Sequence, residues 1–183
     1  MADIPFDALP FRLQILHRMT ERLRTITRTT ADALPQYSYS LAPDGDFPEG
    51  KVLRGRGAYG KSDPLPMLSI IEDPKQMERD AVPEQSDAKP GDWDLLIQGF
   101  IKDDPVHPTD PAYFLAADVS AVLFAETLNK RDILGFGDKK PMIRELHIGA
   151  PVIRPADEIS VTSYFWLPLR MCLVEDAASA FLF

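Results

Sequence analysis

Apolar residues at Ile15, Leu16, Met19, Leu23 and Ile26 recur every three or four positions and predict an amphipathic helix whose other faces carry arginines. Asp7 is its expected N-cap, Pro10 falls in a first turn that tolerates a missing amide, and β-branched residues mark its end near Thr29 and Thr30. Residues 31–50, with Pro35, Pro43, Gly45, Pro48 and Gly50, read as an irregular connection. A weak short strand is expected over Lys51–Arg56 and a stronger, nearly continuous apolar one over Met67–Glu72. Residues 74–91 are polar and broken by proline, predicting a long loop. Trp93, Leu95, Ile97 and Ile101 then alternate with Asp94, Leu96, Gln98 and Phe100, a strand buried fully on one face and partly on the other.

The second helix is announced by Asp110 and Pro111, an N-cap followed by a proline at the first helical position. Leu115, Val119, Val122, Leu123 and Leu128 form its stripe, and Lys130 and Arg131 stand at the end where the helix dipole favours cations. A turn over residues 135–138 leads to a strand from Met142 to Ile148. From Ile159 to Leu173 the odd positions form a nearly unbroken apolar face that would span roughly 50 Å, against the usual five or six residues of a strand. Pro168 is therefore expected to bend or bulge it, or part of it to project beyond the domain. This order predicts a single α+β domain over residues 1–183, a largely antiparallel sheet of four to five strands with two main helices packed on it, and long loops or arms.

Composition locates the irregular parts. Seventeen prolines in 183 residues are about twice the usual share, and they cluster in the 31–50 connection, the 74–91 loop and the entry to the second helix. Net charge is −8; residues 1–30 hold five arginines against three acids, so the remainder carries −10. An acidic body argues against tight binding of a phosphate backbone. The longest strongly apolar stretch, Tyr164–Leu169, is short of a membrane span, and Asp3 and Asp7 stand where an export signal carries positive charge. Neither a membrane partner nor export is expected, and the single Cys172 makes no internal disulfide.

Gly55 to Ser62 satisfies the phosphate-loop pattern G-x-x-x-x-G-K-S, but the strand before it is short and charged. Pro64 and Pro66 stand where the phosphate-binding helix has to begin, so a glycine-rich loop is the expectation. Leu68–Asp73 mimics the apolar-then-acidic strand that holds magnesium beside such a loop, but it arrives too soon for a parallel crossover of a dozen or more residues. Asp103, Asp104, His107 and Asp110 are threaded by prolines and read as a solvated loop entering a helix. His17, His107 and His147 show no paired ligand spacing, and Cys172, between Met171 and Leu173, reads as an inert thiol in a strand. No G-x-S-x-G elbow occurs. The expectation is a non-enzyme with no catalytic, cofactor or metal residues, in which Trp93 and Trp166 serve a core or an interface.

Val52–Arg56, Asp63–Pro74, Trp93–Ile101, Pro108–Ala112 and Ala116–Val119 together resemble small tail-terminator or tail-completion proteins of tailed bacteriophages. The resemblance covers about residues 51–120 and the element order. It implies a virion protein of the tail, assembled in the host cytoplasm, that forms a homo-oligomeric ring, commonly of six copies. The ring would sit between the tail tube protein and a head-side connector, with DNA only as passing cargo. Arg54 and Arg56, charged on a short edge-like strand, are expected between subunits, as are Trp166 and the apolar end Phe181, Leu182 and Phe183. Two other readings stay open: a small nucleotide-binding protein using Gly55–Ser62, and an adaptor in a non-viral assembly.

Overall fold

A computed structural model describes residues 4–29, 36–60, 62–73, 91–137, 142–158 and 160–174. Helix α1 runs Phe11–Arg24, four residues after Asp7, which lies in a separate 3-10 turn, Phe6–Ala8. Pro10 holds the chain extended at the cap position, so Asp7 is carried away from the helix and the expected cap does not form. The Pro10 carbonyl accepts from the Gln14 amide at 3.0 Å, and the Gln14 side chain reaches back to the Leu9 carbonyl at 2.7 Å. Ile15, Met19 and Leu23 are buried as their spacing requires, and Ile26 is buried beyond the helix end, where its carbonyl accepts from the Leu41 amide at 2.8 Å.

Six strands follow in one sheet: β1 Val52–Arg54, β2 Met67–Glu72, β3 Asp92–Ile101, β4 Met142–Ile148, β5 Val152–Arg154 and β6 Ser163–Val174. Their order is β1-β2-β3-β6-β4, with β5 also beside β6. Four of the five pairings are antiparallel; β1 and β2 run parallel, joined by residues 55–66 with no helix among those described. Twelve residues therefore suffice for a parallel crossover here, although β2 was expected to arrive too soon for one. The fold is α+β, as expected. Strand β5 is an addition, three residues bracketed by Pro151 and Pro155 and too short to show a period.

Pro168 does not break β6. It pairs opposite Leu96 in a strand flanked on both sides, and its carbonyl accepts from the Gly149 amide at 2.8 Å. A residue's N–H and C=O leave a strand on the same side, so the missing N–H faces the connection between β4 and β5. There β4 covers Leu169–Val174 and β5 covers Tyr164–Trp166, and no ladder bond is lost. The length of β6 follows from its central position: at about 3.3 Å per residue it spans roughly 40 Å and serves three neighbours. Its apolar face, Phe165, Leu167, Leu169, Met171 and Leu173, is buried. The expectation that Pro168 bends or bulges this strand, or that part of it projects beyond the domain, is thus corrected.

Both helices pack on one face of the sheet. Helix α2, Asp110–Leu128, lays Leu115, Val119, Val122 and Leu123 against β3, β4 and β6, while α1 packs on β1 and α2. Asp110 is inside the first turn rather than capping it. Thr109 holds the cap position, and Pro111 supplies no amide for a side-chain cap to bond. On β3, Gly99 lies opposite Phe165, and a Cβ at Gly99 would meet that ring at 2.0 Å. Glycine is what lets the Phe165 ring lie flat over the strand.

Candidate functional site

The most unusual surface is the outer face of α2. Tyr113, Phe114, Phe124 and Leu128 are each 58–71% exposed, and Ala117, Ala121 and Ala125 lie exposed among them. Between Asp110 and the helix end, the two acidic side chains point inward instead: Asp118 and Glu126 are 7% and 2% exposed. Leu128, assigned by spacing to the core stripe, belongs to this outer face. Soluble monomers seldom gather such side chains without a covering surface, and the alanines allow a second backbone to approach closely. By length and composition α2 is apolar enough to cross a membrane, but its inner side is committed to the domain core.

The two buried carboxylates explain how α2 stays apolar outside. Asp118 accepts the backbone amides of Ser38 and Tyr39 at 2.8 and 3.3 Å, strapping residues 36–41 to the helix, and burial raises its carboxyl above the usual range. Glu126 accepts from Arg22 of α1 and, at 2.9 Å, from the amide of Leu134. Leu134 has φ +55°, a left-handed backbone unusual for leucine, in the turn Ile133–Gly135. One carboxylate therefore joins α1, α2 and a strained turn.

A second surface lies at the sheet edge formed by β1. Arg54 lines an open cleft of about 420 Å³ with His17, Arg24, Glu49 and Arg56. Burial lowers the Arg54 pKa, with Arg24 adding to the effect; burial, then Arg54, lowers that of His17. Glu21 and Glu49 also line the cleft, so two carboxylates stand among its three guanidinium groups. Arg56 pairs with Asp63, and the Asp63 carboxylate also accepts the Gly60 amide at 2.8 Å. Within the phosphate-loop-like segment, an anion of the protein itself therefore takes an amide that such a loop would offer to phosphate. Among the described residues no helix follows it, and Lys61 lies outside them.

The same loop crosses the helix-free face of the sheet. Tyr59 and Leu65 cover Met67, Phe100 and Tyr164, with Trp166 packed alongside. The Tyr164 and Trp166 rings meet edge-on at 5.6 Å between centroids, and the Arg154 guanidinium stands 5.8 Å over the indole. The indole Nε1 of Trp166 is buried and makes no hydrogen bond among the described residues. Trp166 is thus half-buried at the rim of a satellite aromatic cluster, and Trp93 is fully buried in the main core.

The acidic loop before α2 is committed to backbone. Asp103 accepts the Ser163 amide, and Asp104 accepts those of Val106 and His107, both at 2.8 Å, which lowers its carboxyl below the usual range. Most of the 74–91 loop, and Phe181, Leu182 and Phe183, lie outside the described residues. The structure does not bring Arg54, Arg56 and Trp166 together: the first two flank the β1 edge and Trp166 lies on β6 beside β5. The outer face of α2 was missed by sequence reasoning. Its signal was present in a helix apolar on every side, Tyr113, Phe114 and Phe124 included. Comparison with protein-family models and with curated proteins gave no match.

Proposed function

We propose that this chain is a structural assembly subunit, the tail-terminator or tail-completion protein of a tailed bacteriophage. It forms a ring of identical copies, six in the simplest version, at the head-proximal end of the tail. The observation that carries the reading is the uncovered apolar face of α2. Fully burying one large apolar side chain contributes about 1.5–3 kcal/mol, so four that are each more than half exposed supply several kcal/mol per contact. Association costs about 4–15 kcal/mol, so a single contact is marginal. Closing a ring gives every subunit two contacts and favours the closed assembly.

A ring requires α2 of one copy to meet a different patch on the next. The β1 edge suits that role: among the described residues its outer side has no strand beside it, and the cleft around Arg54, where arginines and glutamates mix, offers charged groups of both signs to a neighbour. In this arrangement Arg54 and Arg56 lie between subunits, the tail tube protein and the head-side connector bind the two rims, and DNA passes without being held. The test is light scattering coupled to size exclusion, on the chain alone and with purified tail tubes. Ring-sized mass that Phe124→Glu reduces to monomer, with the fold intact by circular dichroism, supports the reading. A wild-type chain that stays monomeric with and without tubes overturns it.

A further inference from the structure

The helix-free face holds a second feature, at the end of the sheet away from β1. Strand β4 carries a bulge: Ile143 lies opposite Leu173, yet Glu145 lies opposite Cys172, so two residues of β4 advance against one of β6. The bulge inverts the phase of the strand. Ile143 before it, and Leu146 and Ile148 after it, all face the core, which sends Glu145 and His147 to the opposite face. In a regular strand Glu145 and His147 would share the side of Ile143, under the helices. Across the sheet, Asp92 of β3 and Glu145 of β4 both pair with Cys172 of β6.

The consequence is a set of unlike donors at one point. The ligating atoms of Glu145, His147 and Cys172 lie within 4.8 Å of one another, and His147 Nε2 is 2.9 Å from Glu145 Oε2. The Cys172 thiol donates to Asp92 Oδ1 at 3.0 Å, which puts a fourth donor in reach. They line an open concavity of about 570 Å³ that also holds Asp73 and Asp94. Arg170, the one guanidinium there among the described residues, is engaged by Asp94 through two bonds of 2.7 and 3.1 Å.

The geometry points to a divalent-cation site of the zinc class, with Cys172, His147 and Glu145 as ligands and Asp92 as the fourth. Thiolate, imidazole and carboxylate together select zinc over the harder magnesium and calcium. Zinc–sulfur and zinc–nitrogen bonds of about 2.3 and 2.0 Å need only side-chain adjustment from donors already this close. On binding, the Cys172 proton leaves to solvent and the thiolate replaces it on the metal, with no change of oxidation state. The ion would tie β3, β6 and β4 together at the corner of the sheet.

The test is equilibrium dialysis of the untagged full chain against zinc alone, with cobalt as the spectroscopic probe. One ion per chain is expected, with a thiolate-to-cobalt absorption band and a higher melting temperature in zinc. His147→Ala, at a side chain 61% exposed, leaves the metal-free melt unchanged; it and Cys172→Ser each weaken binding by about 100-fold or more. Wild type that binds no more zinc than a variant carrying both His147→Ala and Cys172→Ser, or a cobalt complex without the thiolate band, overturns the assignment.

Discussion

Glu126 offers a quantitative test of how α2 is locked into the domain. The side chain is 2% exposed and holds two elements: Arg22, half exposed on α1, and the buried amide of Leu134. Replacing it with alanine leaves the Leu134 N–H buried without an acceptor, at about 1–3 kcal/mol. Losing the pair with a half-exposed arginine adds about 0.5–1 kcal/mol, because Arg22 regains water. Leu134 also keeps its left-handed backbone, which disfavours leucine by about 1–2 kcal/mol, only while its amide is anchored. Relaxation of that turn limits the total, and a loss of about 2–4 kcal/mol is expected for Glu126→Ala. For a chain of this length that is roughly 5–15 °C in melting temperature. Glu126→Gln keeps an oxygen for the Leu134 amide and gives up only the charge, so about 1 kcal/mol is expected. Urea unfolding at constant slope reads both. An alanine variant within about 0.5 kcal/mol of wild type, or a glutamine variant as damaged as alanine, refutes the clamp.

Asp118 gives a pH-dependent counterpart. Burial raises its folded pKa, so as pH rises the unfolded chain loses this proton first, and stability falls from the ordinary carboxylate value up to the raised folded one. Asp118→Asn keeps an acceptor for the Ser38 and Tyr39 amides, removes that slope and is at least as stable at neutral pH; melts across the acid range check this, and an unchanged slope counts against it. Gly99→Ala drives a Cβ into the Phe165 ring and should cost about 1–3 kcal/mol by overpacking, read by denaturant unfolding, whereas a neutral result would mean that the ring moves freely. Glutamate at Arg54 and Arg56 together should leave a folded monomer that no longer assembles; normal particles carrying both changes would remove the β1 edge from the interface.

Strands β2 and β4 were legible to the residue and β3 to within one, because their apolar runs are continuous or alternate cleanly. The α+β class followed from element order. The helix starts were less legible: Pro10 and Pro111 block side-chain caps that the nearby aspartates suggest. Pro168 misled for a topological reason, since a proline is harmless in a central strand where its missing N–H faces a gap between two partners. The outer face of α2 and the facing of Glu145 and His147 were hidden differently. A helix apolar all round does not declare which side is buried, and a one-residue bulge at Arg144 reverses every side chain after it while leaving the sequence pattern unremarkable.

In the proposed assembly, α2 is covered by a neighbouring copy of the same chain at the end of a phage tail. Electron cryomicroscopy of tails carrying the protein tests it directly. The prediction is a closed ring of identical subunits at the head-proximal end, with Tyr113, Phe114, Phe124 and Leu128 buried between neighbours and the β1 edge on the facing side. A tail end without this protein, or a ring in which the outer face of α2 remains in solvent, would contradict it.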